Sequence, residues 1–600
     1  MKKILLLTAA LGAASMALAD QNATENLPPL TVKTQSDALP WLLSTKPELT
    51  DTGFADRMRR FSGFSQTSST QIGTIEGAPS RFTALYWEGM NVSDATGIDR
   101  QATFVNTLLL SGDRIRLAQG AVQPIYGKGG SGAILIDQRA DAPSRIALGG
   151  SNQGERFQSG QVRLEGPIDG YVAAESRFSS GYTAYAAEAG KLDADSEKDE
   201  SRSVSYRGVV NVPVGKRLTL TIKALDATAQ NEYDGGWPTD ADDSTHYWDT
   251  RLTMQGYEAA YKPADNVALK AGFHRQYNRR EDSDTTVYTG NNRKTFAQGD
   301  YTGEFAGFSL GAESLSEEAE ITGTLEGENR QNDLTASAWV AAAEHRIDLA
   351  LRQVRFDPDE GKKVNDEGYY LGWRYGIKLG GAEYQAGLST ARAVQPPSLI
   401  QQLNPYGDPN DNLQTERLDQ KRLNLGAQFG AIEVSVAAFK TEIENYINWV
   451  SDPSDWTIPG KYENVDRVSF KGGYLHVSYR PIEGLLIYAD QTRLLDYESS
   501  AASLKDRQSD RTTTAGLSWQ YGRASVGYDL RIGNEYTDAA SGETLKGEKT
   551  STLSAGYETN KGQTVQLTIK NLQDDYRESA YGYTPAVPER TIYLALEQQF

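Results

Sequence analysis

From Ser144 to Phe600 the sequence keeps one texture: segments of about ten residues alternate apolar with polar, separated by turns or acidic connections. In "RLTLTIKAL", Leu218, Leu220 and Ile222 share one face, and Thr219, Thr221 and Lys223 share the other. "NVALKAGFH" sets Val267, Leu269, Ala271 and Phe273 against Ala268, Lys270, Gly272 and His274. "GQTVQLTIKNL" does the same with Val565, Leu567 and Ile569 against Gln566, Thr568 and Lys570. Period two puts such sets on opposite faces of a β-strand. A soluble sandwich alternates as well, but so long a sheet must hide its edges, and closure into a barrel removes them. About 22 strands over this region leave about 21 residues for each strand and its connection, a workable spacing. The expected fold is all-β, a transmembrane antiparallel β-barrel of about 22 strands, with a small N-terminal domain.

Connections alternate in length. "VPVGKR" (Val212–Arg217) and "KPADN" (Lys262–Asn266) are short. Long ones begin at Tyr185 and Asn231, span Asn278–Thr295, and close with Gln573–Arg590. Outer-membrane barrels have short periplasmic turns and long external loops. The terminal "RTIYLALEQQF" is itself a strand pattern, expected to close against the first strand. Phe600 shares the lipid-facing side with Ile592, Leu594 and Leu596, and serves as a C-terminal signal for the barrel assembly machinery. Tyrosine leads the aromatics, 32 of them beside 16 Phe and 9 Trp, and suits the lipid–water interfaces.

The N-terminus points to export. "MKKILLLTAALGAASMALADQ" has Lys2 and Lys3, an apolar run and "ALA" before Asp20, so residues 1–19 read as a signal peptide. Its removal takes the formal charge from −19 to −21 (two lysines lost), which disfavours nucleic acid as a partner. There are no cysteines, and no two of His246, His274, His345 and His476 stand at ligand spacing. No metal site and no cofactor is expected. Residues 20–40 form a polar tail with one extended patch, Leu30, Thr31, Val32, Lys33 and Thr34. Residues 41–143 form a unit of normal domain size, with a short amphipathic helix in "TGFADRMRRFSGF" and buried strands in "FTALYWEGMNV" and "SGAILIDQ". Residues 144–600 are the barrel.

"SGDRIRLAQGAVQPIYGKGGSGAILIDQ" (Ser111–Gln138) resembles the plug signature of TonB-dependent outer-membrane receptors, through Ile115, Leu117, Gly120, Tyr126, Gly127, Gly132 and the strand Ala133–Ile136. Pro396–Gly430, Tyr462–Pro481 and the last strands resemble that family's barrel segments in the same order. The resemblance implies an α+β plug inside the barrel and a coupling segment at Leu30–Thr34. A TonB-type periplasmic energy-coupling protein would capture that segment by strand addition. It also implies active uptake of a large, scarce small-molecule ligand in a Gram-negative outer membrane. A ferric siderophore comes first; cobalamin, another metal chelate or an oligosaccharide is the alternative, and a passive channel or adhesin the alternative class. Where the family has Arg-Gly, this chain has Glu76-Gly77, and Arg116 also departs in charge; the two readings are an ion pair between Glu76 and Arg116 with the signs exchanged, or plain drift of the plug sequence.

Nothing argues for an enzyme. "GKGGSG" (Gly127–Gly132) lacks a following helix, and "GFSLG" (Gly307–Gly311) lies in a strand pattern rather than at a strand-to-helix elbow. Candidate ligand contacts are Arg81 and Phe82 at the first plug apex, Tyr233, Trp237, Tyr247 and Trp248 in one external loop, and Arg279 and Arg280, which suit an anionic chelate.

Overall fold

The computed structural model describes residues 42–600 apart from 46–56, 59, 66–72, 102–112, 122–123, 125–126, 129, 139–141, 182–199, 233–246, 359–360, 452–458, 466, 500–508, 539–541, 560 and 576–588. The signal peptide, the Leu30–Thr34 segment, Tyr126, Tyr233 and Trp237 lie outside the described residues.

Twenty-two antiparallel strands form one closed barrel. Closure is made by the last strand, Thr591–Gln599, which pairs with the first, Arg145–Ser151; Leu596 lies opposite Leu148. The Phe600 N–H donates to the Ser144 carbonyl at 3.0 Å, so the terminal backbone is held into the ladder. The expected lipid face is the exposed one. Leu220, Leu269, Leu567, Ile592, Leu594, Leu596 and Phe600 all present large apolar side chains outward. In water such a belt is a liability; in a bilayer it is the solvated surface.

The connection expected over Asn278–Thr295 is instead mostly strand. Val267–Asp282 and Val287–Thr302 run 16 residues each and pair directly, Arg280 opposite Tyr288, leaving a tight turn. A spanning strand needs only about 9–11 residues. The surplus projects beyond the membrane, where its charged residues pair within the sheet: Arg279 with Glu281 at 2.7 Å and Arg280 with Asp282 at 3.2 Å.

Inside the cylinder sits a five-stranded sheet from the N-terminal region. Its order is Leu42–Thr45, Asp113–Gln119, Gly132–Gln138, Thr83–Trp87 and Met90–Asn91. Thr83–Trp87 pairs parallel with Gly132–Gln138, and the other pairings are antiparallel. Both "TALYW" and "AILI" read as continuous apolar runs because both faces are covered. Leu85, Trp87, Ile115, Leu117, Ile134 and Ile136 bury one face against Leu225, Ala227, Leu252 and Met254 of the wall. Ala84, Tyr86, Ala118 and Ala133 bury the other against Ala391, Leu418, Phe439, Val468 and Phe470. The two faces therefore pack on different parts of the same cylinder. Arg57 and Met58 are helical within the expected helix, and Met58 joins the first cluster.

Candidate functional site: the apex of the inner sheet and the vestibule above it

Two arginines fasten the top of the inner sheet to the outer loops. Arg81 follows Pro79 in the single helical turn Ser80–Phe82. It donates to Asp99 Oδ1 at 2.8 Å and to the Ile447 carbonyl at 2.7 Å, pairs with Glu416 at 3.0 Å, and lies 4.1 Å over the Tyr446 ring. Burial opposes its charge, but Glu416, Tyr446 and Asp99 outweigh that and hold its pKa above the ordinary arginine value. Phe82 is buried, with 1% of its surface exposed. Neither residue presents its side chain to an incoming ligand in this arrangement.

Arg100 is the second fastener, at a left-handed φ of 53°. Its Nε donates to Glu317 at 2.8 Å, and its two terminal nitrogens donate to the carbonyls of Pro396 and Pro397 at 2.6 and 2.8 Å. The planar guanidinium is the one side chain able to serve three acceptors this way. Ser398 then donates to the Ile98 carbonyl at 2.7 Å and caps the helical turn Leu399–Leu403 in a capping box with Gln401. Loop and apex are thus one hydrogen-bonded unit. Lys128 reaches the same Glu317 at 3.6 Å, and burial lowers its pKa. Nearby, Ser93 is held by amides from the wall, Asn278 at 3.1 Å and Asn292 at 3.0 Å.

Above this apex, period two sorts the predicted loop residues. Thr250, Leu252 and Met254 are buried in the lumen, so Trp248 shares their face and Tyr247 points outward. Gln276 and Asn278 place Arg280 inward and Arg279 outward by the same rule. Trp248 and Arg280 meet: the guanidinium lies 5.4 Å from the Trp248 ring and 3.8 Å from Tyr288. Tyr288 also interacts with Tyr406, a loop residue whose hydroxyl burial pushes up to about 12. Ile98 stands 42% exposed at the sheet's tip. Among the described residues the vestibule thus presents aromatic faces, Arg280 and the apolar Ile98. Tyr288, Tyr406, Ile98 and Arg100 escaped the sequence reading. The available signal was Tyr288's place on an inward-facing position once the hairpin was extended.

The Glu76–Arg116 pair does not form. Glu76 pairs with Arg422 of the wall at 2.6 Å, and Arg116 pairs with Asp137 at 3.2 Å. Strand alternation is the reason: Ile75 packs with Ile115 and Leu117, while Arg114 and Arg116 leave by the opposite face, where both meet Asp137. The motif glycines have physical causes. Gly77, Gly120 and Gly127 have φ of 83°, 96° and 92°. A Cβ on Gly132 would lie 2.6 Å from the Ala118 carbonyl oxygen.

The family description "TonB dependent receptor-like, beta-barrel" matches residues 184–572. The chain belongs to the TonB-dependent receptor family. It is an outer-membrane β-barrel protein, and the receptor's fold extends over nearly the whole chain. It superposes on the ferric enterobactin receptor PfeA of Pseudomonas aeruginosa with a TM-score of 0.77, at 14% identity, covering 95% of this chain and 100% of that one. The siderophore receptor PirA of Acinetobacter baumannii gives 0.77 at 13% identity, with coverage of 95% and 100%. At such identities the likeness is one of fold. In sequence, the receptor is 26% identical over 282 residues to the vitamin B12 transporter BtuB of Vibrio cholerae serotype O1, 44% of this chain and 42% of that transporter's length.

Proposed function

We propose that this receptor carries out energy-coupled import of a large, scarce ligand across the outer membrane, with a ferric siderophore as the ligand class. The observation that carries the reading is the inner sheet held within the barrel and packed on two parts of its wall. Residues 41–143 act as the plug, and 20–40 as a periplasmic tail whose Leu30–Thr34 segment is captured by a TonB-type protein. The ligand enters the vestibule beside Trp248, Arg280, Tyr288, Tyr406 and Ile98; Tyr233 and Trp237 stand in the stretch of sequence just before Trp248. Arg280, flanked by aromatic rings, suits a chelate with anionic and aromatic character. Ligand contact loosens the Arg81 and Arg100 fasteners, and pulling from the periplasm then rearranges the plug. Two siderophore receptors of the same fold support this ligand class.

Cobalamin is the second reading, favoured by the similarity to a named vitamin B12 transporter. Uptake by cells expressing the receptor, with ferric enterobactin and cyanocobalamin as labelled probes, separates the two. Deleting Leu30–Thr34 should stop uptake and leave binding intact. Undiminished uptake after that deletion would refute coupled transport.

A further inference from the structure

Three neighbouring strands carry a lysine at one height on the outside of the barrel. Lys421 lies directly opposite Lys440, and Lys440 directly opposite Lys471. Their chain neighbours Arg422, Phe439 and Gly472 are buried, whereas all three lysines are exposed, so three ammonium groups leave the wall on the membrane side. The row spans about 10 Å, two inter-strand spacings. The next row toward the periplasmic turns is Leu423, Ala438 and Gly473, and the one after it Leu425, Val436 and Leu475. The lysines therefore stand at the upper boundary of the apolar belt, near the strand ends that lead into the long external connections.

Like charges directly opposite one another across strands are destabilising. The carboxylates nearby are committed or displaced to one end. Asp419, one row above, is bound to Arg392 at 2.7 Å. Glu442, also above, is shared by Lys440 and Arg467. Asp496 accepts from Lys471 at 3.0 Å at the far end of the row. Lys421 has no ion pair or hydrogen bond among the described residues.

The three lysines line the edge of an open groove of about 740 Å³, whose apolar part below them is made by Ile347, Trp373, Leu388, Leu423 and Ala438. Sites that hold small molecules measure about 300–1,000 Å³. Ala438 and Gly472 line the groove where no long side chain stands. Leu371, Leu388 and Leu423 rise on one side, each at least 39% exposed. On the other side the pairing register slips: Lys471 faces Asp496, Gly472 faces Leu494, and the intervening Leu495 has no partner. This bulge pushes Leu495 outward, 63% exposed, as the second wall.

We infer that this face is a binding site for one phosphorylated lipid of the outer leaflet. A headgroup phosphate sits against Lys421 and Lys440, with Lys471 beside it, and acyl chain fills the groove beneath. Charge and shape agree on that occupant: a cationic row at headgroup height, then a hydrocarbon-lined hollow on its membrane side. Basic clusters at the membrane boundary recognise anionic lipid headgroups in this way.

The test is native mass spectrometry of the full-length receptor in detergent, titrated with bisphosphorylated lipid A. One lipid should be retained per chain. K421Q/K440Q should lower the retained fraction at least tenfold at fixed lipid. Ala438→Leu, which fills the groove and keeps every charge, should lower it severalfold. K378Q, a control at an 80% exposed lysine near the opposite rim, should leave it unchanged. Heat-dependent gel mobility checks that each variant is a closed barrel. Dephosphorylated lipid A should be lost, and inorganic phosphate should not compete. Equal retention in K421Q/K440Q, equal retention of the dephosphorylated lipid, or displacement by inorganic phosphate would each overturn the proposal.

Discussion

Glu76, in a turn of the inner domain, and Arg422 of the barrel wall form an ion pair across 346 residues of chain, with side chains 1% and 3% exposed. Arg422 Nη1 donates to both carboxylate oxygens, at 2.7 and 2.6 Å, and Nη2 donates to Gln119 at 3.3 Å. Breaking one side of such a pair strands the other charge in the interior at a cost of about 3–5 kcal/mol. Glu76→Gln should therefore loosen the inner sheet, seen as faster proteolysis of residues 41–143 in urea. Glu76→Gln combined with Arg422→Met should lose less than the sum of the single changes, because no buried charge remains. Additive losses would show that the two residues do not act together.

Arg100 should couple the sheet's apex to the loop starting at Pro396. Arg100→Ala leaves Glu317 buried and two proline carbonyls without their donor. Hydrogen exchange in residues 398–404 should rise tenfold or more, while exchange in the strand Arg145–Ser151 stays the same. Arg100→Lys should recover part of the protection, since an ammonium can reach one or two of the three acceptors.

Glu88 gives the sheet's anchorage a pH dependence. Burial pushes its carboxyl from 4.5 up to about 7, against the opposing effects of the Gln138 N–H, Lys223 and Tyr171. The Tyr171 hydroxyl donates to it at 2.9 Å, and Lys223 donates to its backbone carbonyl at 2.7 Å. A raised carboxyl pKa means that the native state holds the extra proton. This contribution is fully present below the unfolded value near 4.5 and is lost as pH rises through about 7. The thermal midpoint of the receptor in detergent should fall between pH 5 and 8, and Glu88→Gln should flatten that fall. An unchanged slope in the variant would remove Glu88 as its source.

Gly132 is fixed by crowding. An alanine there would meet the Ala118 carbonyl oxygen at 2.6 Å and Ile75 Cδ1 at 2.8 Å. Gly132→Ala should cost about 1–3 kcal/mol as an overpacking change. Gly160→Ala, on a barrel strand with nothing within 4 Å, is the matched control and should be neutral in the same urea–proteolysis assay.

The barrel was legible because it rests on a local rule. Period two decides which side chains face lipid, and every strand repeats it, so Leu220, Leu269 and Leu596 could be assigned outward from their neighbours alone. The same rule, applied to longer strands, would have turned the Asn278–Thr295 connection into a hairpin and separated Arg280 from Arg279. Strand length beyond the bilayer has no local signal, because outside the lipid its residues are as polar as a loop. Partner choice is not local at all. Glu76 and Arg116 both looked like departures within one small domain, yet Arg116 lies on a strand whose alternation turns it to Asp137, while Glu76 sits in a left-handed turn at φ 53° that presents it to the wall. Only closure of the cylinder around that sheet brought Arg422 to Glu76 and Pro396 to Arg100. The sequence by itself determined the faces of each strand; the register between strands, set by closing the ladder on itself, decided which charges meet.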